Sequence, residues 1–170
     1  YDSYDSYALY LHIPFCRARC SYCDFNTYTT IGDLQGEYVA ALAREIRLVG
    51  ESGRAGGEPL AVRTIFFGGG TPSLLTPEQT AALLSAARDS FALAPDAEIT
   101  MEANPSDVSE AYLAACREHG VNRLSIGMQS AQPDELRLMA RDHKAETTAR
   151  AVDAARRAGF TNVNLDLIFA

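Results

Sequence analysis

Tryptophan is absent from the 170 residues, histidine occurs three times and cysteine only four times. So few cysteines cannot build the dense disulfide framework of a small secreted domain. Long apolar runs are also missing. No stretch approaches the roughly 20 residues of a membrane helix, and no basic-then-apolar leader is visible. Positive charge is in deficit, with 15 Lys and Arg against 22 Asp and Glu and a formal net charge of −7. That argues against a nucleic-acid role resting on a general basic surface. What remains is ordinary globular composition, 47% hydrophobic and 22% charged, long enough for one substantial core. A reducing, cytoplasmic setting suits free thiols. The chain starts at Tyr1 rather than Met and stops at Ala170 inside an apolar run, so an excerpt of a longer protein is expected.

Three of the four cysteines, Cys16, Cys20 and Cys23, form a C-x3-C-x2-C array in a single loop. That spacing lets three thiolates converge on one centre, and iron–sulfur clusters are held by cysteine thiolates, usually four per cubane. Three ligands leave one iron open. A closed structural zinc site wants four ligands, and the only other cysteine, Cys116, is remote while His12 sits in an expected strand. A lone cysteine within a helix such as Cys116 reads as a small buried hydrophobe.

Along the chain, residues 1–7 read as a frayed polar lead-in and 8–13 as an alternating first strand that Pro14 stops. Leu34, Tyr38, Leu42, Ile46 and Val49 recur at helical spacing. A glycine-rich loop over 50–59 leads to a strand at 62–67 that ends on Gly68-Gly69-Gly70-Thr71-Pro72. Thr76-Pro77-Glu78-Gln79 predicts a capped second helix to about Phe91, and 97–101 a third strand. Asp107 and Glu110 predict a capping box for a third helix ending near Gly120. A fourth strand (121–126), a short helix (134–140), an alanine-rich helix (145–158) and a fifth strand (162–169) complete the pattern. Strict alternation implies right-handed βαβ units and a parallel sheet. Polar residues follow the carboxyl end of every strand, as at the active face of a β/α barrel. The expectation is therefore an α/β fold, a partial TIM-like barrel of about five units over 8–170, in preference to an open doubly wound sheet.

C-x3-C-x2-C with the aromatic Tyr22 before its last cysteine resembles the signature of the radical S-adenosylmethionine (SAM) superfamily. The resemblance implies a [4Fe–4S] cluster on Cys16, Cys20 and Cys23, with SAM on the open iron. It also implies reductive cleavage of SAM to methionine and a 5′-deoxyadenosyl radical. The Gly69-Gly70-Thr71 loop resembles the one that holds the methionine amino group in that superfamily, and it lacks the Lys-Ser/Thr ending of a P-loop. Glu102, Arg141, Gln129 and Asp166 together complement a zwitterion carrying a ribose. A carboxylate answers the ammonium, a guanidinium answers the carboxylate, and the last two suit vicinal hydroxyls.

In order, the chain carries Tyr10-x-His12-Ile-Pro-Phe-Cys16, Phe67-Gly-Gly-Gly-Thr-Pro-Ser, Met101-Glu-Ala-Asn-Pro, Leu124-Ser-Ile-Gly-Met-Gln-Ser, Arg141-x-His143 and Asn164-Leu-Asp-Leu-Ile. This series is similar to the oxygen-independent coproporphyrinogen oxidase family from Tyr7 onward, and it implies that Tyr10 and Tyr22 join the cofactor pocket. True oxidases of the family carry a further cysteine where this chain has Phe25. Cys23-Asp-Phe-Asn resembles instead the HemW branch, regarded as haem chaperones, which implies haem and a haem-accepting protein as partners. No haem ligand is assigned among His12, His119 and His143. Arg17 and Arg19 could attract an acidic, flavodoxin-like electron donor. The competing functions are coproporphyrinogen III decarboxylation and a zinc-stabilised binding module without redox chemistry.

Overall fold

A computed structural model describes residues 6–53 and 57–169. Five strands form one sheet: β1 (Tyr7–Ile13), β2 (Ala61–Gly69), β3 (Ala92–Ala103), β4 (Arg123–Gln129) and β5 (Asn162–Leu167). Between them lie α1 (Gln35–Ser52), α2 (Pro77–Ser90), α3 (Glu110–Glu118), α4 (Pro133–Leu138) and α5 (Ala145–Arg157).

All neighbouring strands are parallel and the spatial order is the sequence order, β1 to β5. A doubly wound sheet must reverse its order at a switch point. Here every right-handed crossover steps the same way, which puts the helices on one face of the sheet. The partial TIM-like barrel expected from the sequence is the fold.

The period-two alternation of each strand then assigns its two faces. Ile13, Ile65, Phe67, Ile99, Met101, Leu124 and Ile126 belong to the buried core. Helix residues Val39, Ile46, Leu83, Leu84, Leu113 and Phe160 of the α5–β5 turn join them in one cluster. Burying a side chain of this size contributes roughly 1.5–3 kcal/mol, so this layer carries the stability of the fold. The opposite phase forms the inner face of the barrel and is polar: His12, Thr100, Glu102, Ser125, Asn164 and Asp166. Tyr10 belongs to this face too, stacked on Phe66 with ring centroids 6.1 Å apart.

Local chemistry sets most boundaries as the sequence predicts. Thr76 and Gln79 form a reciprocal capping box on α2, with Pro77 opening the helix. Gly120 and Gly159 take positive φ (115° and 90°) after α3 and α5, where an L side chain would be strained.

Three expectations change. The lead-in of 1–7 is shorter, since Tyr7 already pairs in β1; residues 1–5 lie outside the described part of the chain. Part of the glycine-rich stretch over 50–59 is helical, because α1 continues to Ser52, while residues 54–56 lie outside the described part. Ser109, not Asp107, caps α3, accepting from the Tyr112 N–H at 3.2 Å. Asp107 is engaged by a cation instead.

Candidate functional site

The carboxyl ends of β2 to β5 and the loop that follows β1 meet at one cavity of about 400 Å³. Its wall contains every site residue predicted from the sequence except Tyr10: Cys16, Cys20, Cys23, Tyr22, Gly69, Gly70, Thr71, Glu102, Gln129, Arg141 and Asp166. Tyr10 stands outside that wall, 58% exposed, its hydroxyl 3.1 Å from His12 Nδ1. His12 Nε2 lies 2.8 Å from the Asn26 carbonyl. A carbonyl only accepts, so Nε2 carries the proton and Nδ1 accepts from Tyr10.

The cysteine loop leaves β1 at Pro14 and closes on itself. Tyr28 N–H donates to Pro14 O (2.8 Å) and Cys16 N–H donates to Tyr28 O (3.0 Å). Backbone hydrogen bonds tie it to two distant segments. Gly70 N–H donates to Ile13 O and Thr71 N–H to Phe15 O, both at 2.8 Å. Ser21 donates through its N–H to Met139 O (3.2 Å) and through Oγ to Leu138 O (2.8 Å), at the end of α4.

Each of the three thiols has a polar neighbour. Thr71 Oγ1 donates to Cys16 Sγ at 3.5 Å, Arg141 Nη1 to Cys20 Sγ at 3.4 Å, and Thr27 Oγ1 lies 4.0 Å from Cys23 Sγ. Burial pushes the Cys16 thiol up, against the Thr71 hydrogen bond. Cys116 is fully buried in α3, its thiol raised to about 11 by burial. It takes no part in the cavity wall.

Glycine shapes the second wall. Gly69 has φ 115°, and a Cβ there would sit 2.6 Å from the His12 ring. Its N–H donates to Glu102 Oε2 at 3.2 Å. Burial raises the Glu102 carboxyl, the Gly69 hydrogen bond opposes this, and nearby Asp166 adds to it. A cation arriving beside this carboxyl would favour its charged form. Burial likewise pushes the Tyr22 phenol up to about 12.

Two polar atoms of the wall residues are buried without a protein partner: Arg141 Nε and Asp107 Oδ2. Arg141 spends Nη2 on Gly127 O at 2.9 Å, and Asp107 receives Arg17 Nε at 2.8 Å with its side chain only 5% exposed. An orphaned donor and acceptor around three thiols fit a polar ligand, since buried polar groups are rarely left unpaired. Among the described residues, no three His, Cys, Asp or Glu side chains are arranged to hold a single metal ion. Cys16, Cys20 and Cys23 nevertheless all line the same cavity.

Gln129 lies at the end of β4 with φ 65°, a left-handed conformation that L residues rarely adopt. His143 backs this corner. It is 4% exposed and its Nε2–H donates to Met128 O at 3.0 Å, while Nδ1 has no partner. Burial lowers its pKa, which favours the neutral ring. Ser21, Asp107, Ser125 and Asn164 are site elements that sequence reasoning missed. Ser125 and Asn164 do carry a signal: polar residues between apolar ones, in phase with Asp166.

Parallel β/α units that deliver one polar residue after another to a thiol-lined cavity define a barrel-type cofactor-binding domain. The sequence profile of the Radical SAM superfamily matches residues 10–170, and the chain belongs to that superfamily. Membership brings a [4Fe–4S] cluster and SAM as the resident groups, which the donor set above accommodates. The chain is 45% identical over 166 residues to the haem chaperone HemW of Mycobacterium tuberculosis, covering 96% of this chain and 42% of that one. It is 42% identical over 165 residues to an oxygen-independent coproporphyrinogen III oxidase of Bradyrhizobium diazoefficiens, covering 96% and 36%. Among solved structures, coproporphyrinogen III oxidase (HemN) from Escherichia coli superposes with a TM-score of 0.85 at 33% identity, covering 98% of this chain and 38% of that one. The chain thus spans less than half the length of these relatives. Among the described residues no helix is long and apolar enough to cross a membrane.

Proposed function

We propose that residues 8–170 are the cofactor-binding core of a HemW-type haem chaperone. Cys16, Cys20 and Cys23 would hold the cluster, and the cavity beside them SAM. The observation that carries the reading is the convergence of four strand ends and the cysteine loop after β1 on one thiol-lined cavity with two orphaned polar atoms. When bound, the cluster supplies the electron that cleaves the cofactor's sulfonium. The chain's own residues bind and orient. Glu102 and the Gly69–Thr71 backbone face the ammonium, Arg141 with its free Nε–H faces the carboxylate, and Gln129 and Asp166 face the ribose. Tyr22 closes one side of the cavity.

Phe25 favours the chaperone over the oxidase. It occupies the position where the oxidase family carries its extra cysteine, and it lines the cavity rim 65% exposed. A greasy aromatic at the rim contributes packing surface and no thiol chemistry. Haem and a haem-accepting protein are the partners on this reading, in the cytoplasm. A flavodoxin-like donor would approach past Arg17 and Arg19; Arg19 also donates to Cys23 O at 3.2 Å.

The test uses the full-length, cluster-loaded protein. Haem titration should show stoichiometric binding, and coproporphyrinogen III with SAM and a reductant should give no protoporphyrinogen. Catalytic turnover of that substrate would replace the chaperone reading with the oxidase. Zinc without iron or sulfide in anaerobically purified protein would overturn both.

A further inference from the structure

The parallel register of β4 and β5 places Ser125 opposite Asn164, and the period of two places Asp166 one step further along the same inner face. The three side chains close a triangle. Asn164 Nδ2 donates to Ser125 Oγ at 2.9 Å and to Asp166 Oδ1 at 2.7 Å. Ser125 Oγ lies 2.9 Å from Asp166 Oδ1 and 3.1 Å from Oδ2. Having accepted from Asn164, the Ser125 hydroxyl must donate its one proton to the carboxylate. Ser125 is 6% exposed, while Asp166 and Ser125 both line the cavity.

A free carboxylate on a strand rotates about two bonds, and a diol meets it well only when both oxygens face the ligand. Two donors from one side, Asn164 Nδ2 and the Ser125 hydroxyl, restrict that rotation and leave the outward lone pairs to accept. We infer that Ser125 and Asn164 are positioning residues that hold Asp166 for two-point acceptance of a vicinal diol, making the cavity selective for ribo- over 2′-deoxyribo-cofactors. The inference rests on the proposed ribose role of Asp166. Gly127 lies opposite Asp166 in the register, and a Cβ there would sit 2.9 Å from Gln129 Nε2 and 3.4 Å from Arg141 Nη2.

The experiment measures equilibrium dissociation constants of SAM and of its 2′-deoxyribo analogue for the full-length, cluster-loaded protein by equilibrium dialysis. Wild type should prefer SAM. Ser125→Ala should weaken SAM about five- to tenfold, the worth of one buried hydrogen bond, and barely change the analogue. Ser125→Thr, which keeps the hydroxyl, should restore the preference. Equal weakening of both ligands, or of neither, would overturn the positioning role. Where Ser125→Ala does not fold, half-buried Asn164→Ala carries the same comparison. Asp166→Asn separates the two levels. If wild type discriminates and Asp166→Asn discriminates equally, the ribose role of Asp166 is wrong. If wild type fails to bind SAM, the proposed function falls with it.

Discussion

Gly70→Ala tests whether the cysteine loop and the glycine turn form one rigid cradle. A Cβ at Gly70 would lie 2.7 Å from Phe15 O, 3.0 Å from Ile13 O and 3.0 Å from Cys16 Sγ. Ordinary contact starts near 3.4 Å, so the worst of these is about 0.7 Å too short. Two of the three obstacles are backbone, and the hydrogen bonds from Gly70 and Thr71 to Ile13 and Phe15 fix their spacing at 2.8 Å. The strands cannot separate without breaking those bonds. Overpacking of this kind costs about 1–3 kcal/mol, and each bond lost in the adjustment adds about 1 kcal/mol. Movement of Cys16 away from the new methyl relieves the rest and displaces a cluster ligand. Full-length Gly70→Ala should therefore denature at lower urea and retain less iron and sulfide per chain after anaerobic reconstitution. Gly36→Ala is the control. It has no atom within 4 Å, lies in the first turn of α1, and should be neutral or stabilising by up to about 1 kcal/mol. A Gly70→Ala protein with wild-type midpoint and iron content would refute the rigid-cradle argument.

Glu102→Gln should trade binding for stability. The folded carboxyl is raised above its ordinary value by burial, so stability falls as pH rises through that raised value, and the glutamine lacks the penalty. Urea melts should show the variant gaining on wild type as pH rises above the ordinary glutamate range, with SAM affinity reduced; unchanged affinity would remove Glu102 from the ammonium site. Alkylation of cluster-free protein at about pH 8 should modify Cys16, Cys20 and Cys23 and spare Cys116, whose thiol is raised to about 11; mass spectrometry finding Cys116 labelled before unfolding would contradict its burial. Arg17→Ala should lower stability more in wild type than in an Asp107→Asn background, because the single change strands a carboxylate that is 5% exposed; additive effects in the cycle would show that the 2.8 Å pair has no coupling.

Much of the fold was legible because its signals are local. Thr76 and Gln79 wrote their own cap, and period two against period 3.6 separated strands from helices. β3 shows where that fails. It begins at Ala92, five residues earlier than its apolar core suggests, because Ala92 and Leu93 pair with Ala61 and Val62 across a register shift. Asp107 has the right spacing for a helix cap, yet Arg17, ninety positions earlier in the chain, claims it. In the site, the residues that bear distinctive chemistry stood out: cysteines, a glycine run, polar residues at strand ends. Ser125 and Asn164 did not, since their role appears only when the register sets them side by side. Tyr10 did stand out, but the inner face carries it to a stack on Phe66, outside the cavity wall.

The tie between the cysteine loop and the end of α4 gives the site an order in time. Ser21 bonds Leu138 across 117 positions, and Cys20 meets Arg141 across 121. The ties to Gly70 and Thr71, at the end of β2, and the Arg17 pair with Asp107, ahead of α3, are made earlier. During synthesis from the amino terminus the thiols therefore leave the ribosome long before their last restraint exists, and long-range closures of this kind are slow. Loop and thiols should stay accessible until residues 138–141 dock, which pulse alkylation of ribosome-bound chains of increasing length would follow. A cluster delivered early would meet a flexible peptide, and one delivered late would meet a finished cradle.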